Sequence, residues 1–295
     1  MRTNEQILSR MAEDLKLRGL ASGTQAEYIR CSHIFMDWSK LPAESMDEED
    51  IRAFINHLIS VKKLSASTIN VYNAALRFLY AVTLNRNLNY RQIPNMKQIR
   101  DIPEILTKDE LCNVFGNAST LQNKAILMTL YGSGIRLSEC CSLRVRDIDS
   151  EAMRIFVHHG KRGKDRYTLL SKANLDVLRE YWNAYRPKHP DGWLFLCNDR
   201  SGKVNRRTVQ DAFNSAARRA GISKDVSTHT LRACFATHLL EAGADIYQIK
   251  QLLGHASIQS TTFYLRLRKF DPTLKSPLDA MPQTFGRKTE VAADA

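Results

Sequence analysis

The decisive stretch runs from Ser227 to Tyr264: Ser227-Thr228-His229-Thr230-Leu231-Arg232, then Leu252-Leu253-Gly254-His255, then Ser260-Thr261-Thr262-Phe263-Tyr264. Leu231, Phe235, Leu239 and Leu240 recur at helical spacing, so a helix is expected near 229–241, with Ser227 or Thr228 as its cap. His229 and Arg232 then share one side of its first turn, where free amides and the helix dipole favour an anion. A second helix is expected near 245–253, ended by Gly254, with His255 just beyond. The Ser260-Thr261-Thr262 cluster reads as a helix cap ahead of Tyr264. Each residue also has a plain reading: a structural histidine at a helix start, a histidine favoured by a helix C-terminus, a tyrosine in a core.

Working outward, Gly132-Ser133-Gly134 allows a tight turn after the apolar run Ala125 to Tyr131, and it presents Arg136. Ser138 is expected to cap the helix that follows. Arg136 is either a phosphate-binding guanidinium or a surface arginine paired with Glu139. Two strand-like runs, Met153 to Val157 and Tyr167 to Leu170, flank the basic turn Gly160-Lys161-Arg162-Gly163-Lys164-Asp165-Arg166 and predict a hairpin. Lys161 and Lys164 on that turn suit either acid catalysis or simple phosphate contact. Further helices are expected near 174–185 and 205–219.

The first ninety residues read as four helices in a small bundle. Apolar positions recur at Ile7, Leu8, Met11 and Leu15, at Phe35 and Met36, at Ile51, Phe54, Ile55 and Leu58, and at Ile69, Tyr72, Leu76 and Leu79. Asp47-Glu48-Glu49-Asp50 suits a positive helix N-terminus, and Ser65 or Ser67 can cap the fourth helix. A polar stretch from Asn85 to Pro103, carrying Arg86, Arg91, Lys97 and Arg100, reads as a linker that itself lies on phosphates. Thr107-Lys108-Asp109-Glu110 has the form of a capping box and opens a second region. The division expected is a helical domain over 1–90, a linker over 91–105, a larger domain over 106–272 and a polar tail over 273–295.

The 295 residues carry a formal charge of +12. Lys and Arg outnumber Asp and Glu by 14 to 10 in residues 1–100 and by 29 to 21 beyond, so both regions are basic. That balance suits a polyanionic partner gripped by two domains. Six scattered cysteines without a Cys-x-x-Cys pair fit reduced thiols. No apolar run reaches the roughly 18 residues of a membrane span, and the cytoplasm is the expected compartment. No His/Cys spacing points to zinc, no carboxylate cluster to paired magnesium, and no phosphate-binding glycine loop is present, so no cofactor is expected.

Taken together, Arg136, His229, Arg232, His255 and Tyr264 and the basic hairpin resemble the active site of the tyrosine recombinase (phage integrase) family, over nearly the whole chain. The resemblance implies a mainly α fold with a small β-sheet or hairpin, in which a helical core-binding, SAM-like bundle precedes the catalytic domain. It implies that Tyr264 is the nucleophile, forming a 3′-phosphotyrosyl link to DNA. Arg136 and Arg232 would bind the phosphate, Lys161 protonate the leaving oxygen, His229 act as base and His255 donate a hydrogen bond, with Glu139 as a supporting acid. The partners implied are double-stranded DNA recombination sites and a homotetramer assembled on them from free monomers or dimers, with subunit contacts through the tail. This chain has Arg162 where many relatives have glycine, and Arg266 where they often show histidine. Integration or excision of a mobile element is the role expected. Chromosome dimer resolution of the Xer type, a type IB topoisomerase and a catalytically silent DNA-binding regulator are the alternatives.

Overall fold

The computed structural model describes residues 2–89, 93–97, 104–158 and 165–266. The chain forms two compact units, Met1–Asp101 and Ile102–Ala295. In the first unit lie α1 (Asn4–Leu17), α2 (Ser22–Ser39), α3 (Glu48–Ser60) and α4 (Ala66–Phe78), the last continued by a π turn at Leu79–Thr83. Local chemistry starts three of these helices. Thr3 and Gln6 form a reciprocal capping box, as do Asp47 and Asp50, and the Ser65 hydroxyl accepts from Thr68 N. The apolar stripes close on one core that includes Ile7, Met11, Phe35, Phe54, Ile69 and Leu76. Tyr80 is buried there and donates its hydroxyl to Ala43 O at 3.1 Å.

The stretch expected as linker is held down at both ends. Ile93 is buried in the first core with Met96 packed against it, whereas Leu106 is buried in the second core with Ile105 beside it. Arg86 donates to Glu44 O at 2.9 Å and Met46 O at 2.8 Å, carbonyls of the loop after α2.

In the second unit, α5 (Lys108–Gly116) starts at the capping box of Thr107 and Glu110. Next comes α6 (Leu121–Ser133), whose buried residues Ala125, Ile126, Leu127, Thr129 and Leu130 face in several directions. It is apolar on several sides because it is enclosed by α8 (Lys172–Tyr185), α9 (Arg206–Arg219) and α10 (Thr228–Glu241). Gly134 ends α6 with φ 63°, and a Cβ there would stand 2.2 Å from the Phe235 ring on α10. Close approach of α6 and α10 therefore requires glycine at this turn.

The short α7 (Leu137–Cys140) is entered from Arg136, and Glu139 reaches back to Arg136 N at 2.7 Å. The expected Ser138 cap is thus corrected: Ser138 lies inside the helix, and the longer carboxylate closes the turn.

The sheet has three antiparallel strands in the order β1 (Ile148–Asp149), β2 (Arg154–Val157) and β3 (Arg166–Leu169), with Ile155 opposite both Ile148 and Thr168. The two-residue β1 is too short to show a period, and Met153, expected in the strand, turns the chain with φ 50°. The unit continues with α11 (Ile246–Leu253), α12 (Gln259–Thr262) and a 3-10 turn at Phe263–Arg266. No helix among the described residues is long and apolar enough to cross a membrane. The tail over 273–295 lies outside the described residues.

Candidate active site

Five of the residues singled out from sequence line one cavity of about 490 Å3: Arg136, His229, Arg232, His255 and Tyr264. They arrive from the α6–α7 turn, the first turn of α10, the end of α11 and the 3-10 turn. The sixth, Lys161, lies outside the described residues, as does Lys164, between the end of β2 and the start of β3.

Arg232 is 6% exposed. A buried guanidinium must be solvated by the protein, and here two helix ends supply the acceptors. Arg232 donates to Gly134 O at 2.7 Å, at the end of α6, and to Leu253 O at 2.6 Å, at the end of α11. Both carbonyls stand at negative helix termini. Arg136 donates to Glu139 Oε1 at 2.8 Å and, more distantly, to Gly254 O at 3.4 Å. Arg166 donates from Nε to Leu252 O at 2.9 Å. Three guanidinium groups from three elements thus hold the consecutive carbonyls of Leu252, Leu253 and Gly254, immediately ahead of His255.

Glu139 is the carboxylate that these guanidinium groups share. It receives Arg136 on one side and the forked pair from Arg166 on the other, at 3.0 and 2.8 Å. Burial works to raise its pKa, but the Arg166 bond and charge, with Arg136 added, outweigh this and bring it down to about 2. Arg136 pairs with Glu139 and also lines the cavity. Among the described residues, three arginines against Glu139 and Asp225 leave a net positive charge that suits an anion.

The remaining groups feel this field. Partial desolvation in the cavity lowers the pKa of the otherwise exposed His229, and the charges of Arg232 and Arg136 lower it further, which favours its neutral form. Burial also depresses Arg232, to about 10, with the neighbouring Arg136 charge adding to it. Burial raises the Tyr264 phenol, against the charge and hydrogen bonding of Arg232 and the charge of Arg136. The Tyr264 ring lies nearly parallel to that of His255, 16° between planes and 6.1 Å between centroids. His255 Nδ1 shares a hydrogen bond with Thr261 Oγ1 at 2.9 Å.

That bond corrects a second expected cap. Thr261 is buried and turned to His255, and the N-cap of α12 is Ile258, whose side chain makes no capping bond. Sequence reasoning also missed Arg166, which it read only as part of a basic turn. Its partner Glu139 is 27 residues away, beyond any local period. Among the described residues, no three His, Cys, Asp or Glu side chains converge as a metal site requires.

Residues 100–270 match the phage integrase family, and residues 7–90 match its N-terminal SAM-like domain. The chain belongs to the phage integrase family. Enzymes of this family cleave and rejoin DNA strands. It is 40% identical over 281 residues to y4qK of Sinorhizobium fredii, named as an integrase/recombinase, covering 94% of this chain and 90% of that one. It is 30% identical over 266 residues to the tyrosine recombinase XerA of Pyrococcus horikoshii, covering 90% of each. The fold is that of lambda integrase, solved as a dimer on a core site. There the TM-score is 0.72 at 20% identity, covering 90% of this chain and 79% of the other.

Proposed function

We propose that this phage integrase family enzyme integrates or excises a mobile element by site-specific strand transfer, with Tyr264 as the nucleophile. The observation that carries the site assignment is the convergence of Arg136, His229, Arg232, His255 and Tyr264 on one cavity. In this reading the Tyr264 oxygen attacks a DNA phosphorus and loses its proton to neutral His229. The P–O bond to the 5′ oxygen breaks, and Lys161 protonates that oxygen as it leaves. Arg136 and Arg232, already oriented by fixed carbonyls and Glu139, hold the non-bridging oxygens, and His255 donates to them. The 3′-phosphotyrosyl ester conserves the energy of the broken linkage, so a second 5′ hydroxyl reseals the strand without a cofactor.

DNA recombination sites and a homotetramer built on them are the partners in this reading, with the cytoplasm as its place. The first unit serves as the core-binding domain and residues 273–295 serve subunit contact. The name of y4qK supports recombination as the outcome. The test is a nicked duplex taken from the DNA bordering the gene, which traps a covalent adduct. Tyr264→Phe should abolish the adduct and leave affinity for the same duplex unchanged. Adduct formation by that variant would remove Tyr264 from the role.

A further inference from the structure

We infer that Arg166 is a positioning residue for strand transfer, setting Arg136 and His255 without touching the DNA. The inference rests on the site reading above. Arg166 opens β3, its side chain is 9% exposed, and it does not line the catalytic cavity. Its guanidinium is spent on two targets. Nη1 and Nη2 meet the two oxygens of Glu139, and Nε meets Leu252 O. Through the first, Arg166 fixes the carboxylate that holds both the backbone amide and the guanidinium of Arg136. Through the second, it fixes the end of α11, three residues ahead of His255.

The fit at α11 is close. Gly254 has φ 64°, and a Cβ there would stand 2.9 Å from Arg166 Cδ, so the helix end rests on the arginine stem. The planar fork is what the place requires. A lysine has one point of charge and cannot bond both carboxylate oxygens and a carbonyl in fixed directions. Loss of Arg166 leaves Glu139 buried with one guanidinium partner instead of two and leaves the Leu252 carbonyl without its donor.

The test uses full-length Arg166→Met and Arg166→Lys on the nicked duplex bordering the gene, in single turnover from about pH 5 to 9, with affinity for the duplex measured alongside. Both variants should form adduct on the order of 100-fold more slowly, the scale expected when reacting groups are misplaced by about 1 Å. Affinity should stay within about threefold, because no phosphate contact is lost. In Arg166→Met the acid limb of the rate should move to higher pH as buried Glu139 takes up a proton. Adding Glu139→Gln should return the limb to its wild-type position, which a merely structural role would not do. Arg166→Lys, which keeps the charge, should restore the limb but not the rate. Near-wild-type rates in both variants would overturn the inference, and so would a parallel loss of affinity, which would make Arg166 a DNA contact. Absence of any adduct from the wild-type enzyme would instead remove the Tyr264 reading on which it rests.

Discussion

A guanidinium sealed from water is stable only where acceptors are already in place, and Arg232 finds them at the ends of two helices. The same placement governs its neighbours. Because partial desolvation and the charges of two arginines lower the pKa of His229, its basic form persists to lower pH than usual. If His229 acts as the base proposed above, the rate of adduct formation should be flat through neutral pH and fall only on its acid side. Arg136→Ala, which removes one of the lowering charges, should move that midpoint upward. A wild-type midpoint above 6.5 would take the base role from His229. Tyr264 is under the opposite pressures: burial opposes its ionisation, and the arginine charges favour it.

Short elements carry the site, and they are fixed at both ends. The eight-residue α11 is opened by Asp245, which accepts from Tyr247 N and Gln248 N at 2.7 and 3.3 Å. It is closed by Gly254 and the three arginines. Asp245→Ala should cost about 1 kcal/mol of stability, read as an earlier urea midpoint at unchanged slope. It should also slow adduct formation, since His255 follows directly from this helix; an unaltered urea midpoint would deny the cap its weight. The caps at Ser65, Thr107 and Ser227 were legible because each partner lies within three residues. Those expected at Ser138 and at residues 260–262 failed where a more distant or longer partner competed. Thr261 is taken by His255, and the turn at Arg136 is closed by Glu139.

Across the chain, both units are basic and each has its own core. If the function is as proposed, affinity for duplex DNA should fall linearly on a log–log plot against salt as counterions are released. Arg206 lines a second cavity, of about 350 Å3, that shares Arg136 and His229 with the cavity at Tyr264. Arg206→Ala should reduce the magnitude of the salt slope by about 1. A flat response in the wild-type protein would exclude phosphate clamping altogether.

Helix placement and several caps were readable from order and spacing, because apolar period and capping chemistry act over a few residues. The identity of Arg136, His229, Arg232, His255 and Tyr264 as one group needed their shared resemblance, since no local rule joins residues 128 positions apart. What holds them was not readable. Arg166 bonding Glu139, three arginines on three successive carbonyls, and Gly134 under Phe235 are contacts between elements distant in sequence. Such contacts exist only once the helices have packed, for it is packing that removes water and leaves each buried charge to be satisfied by whichever partner the fold brings within reach.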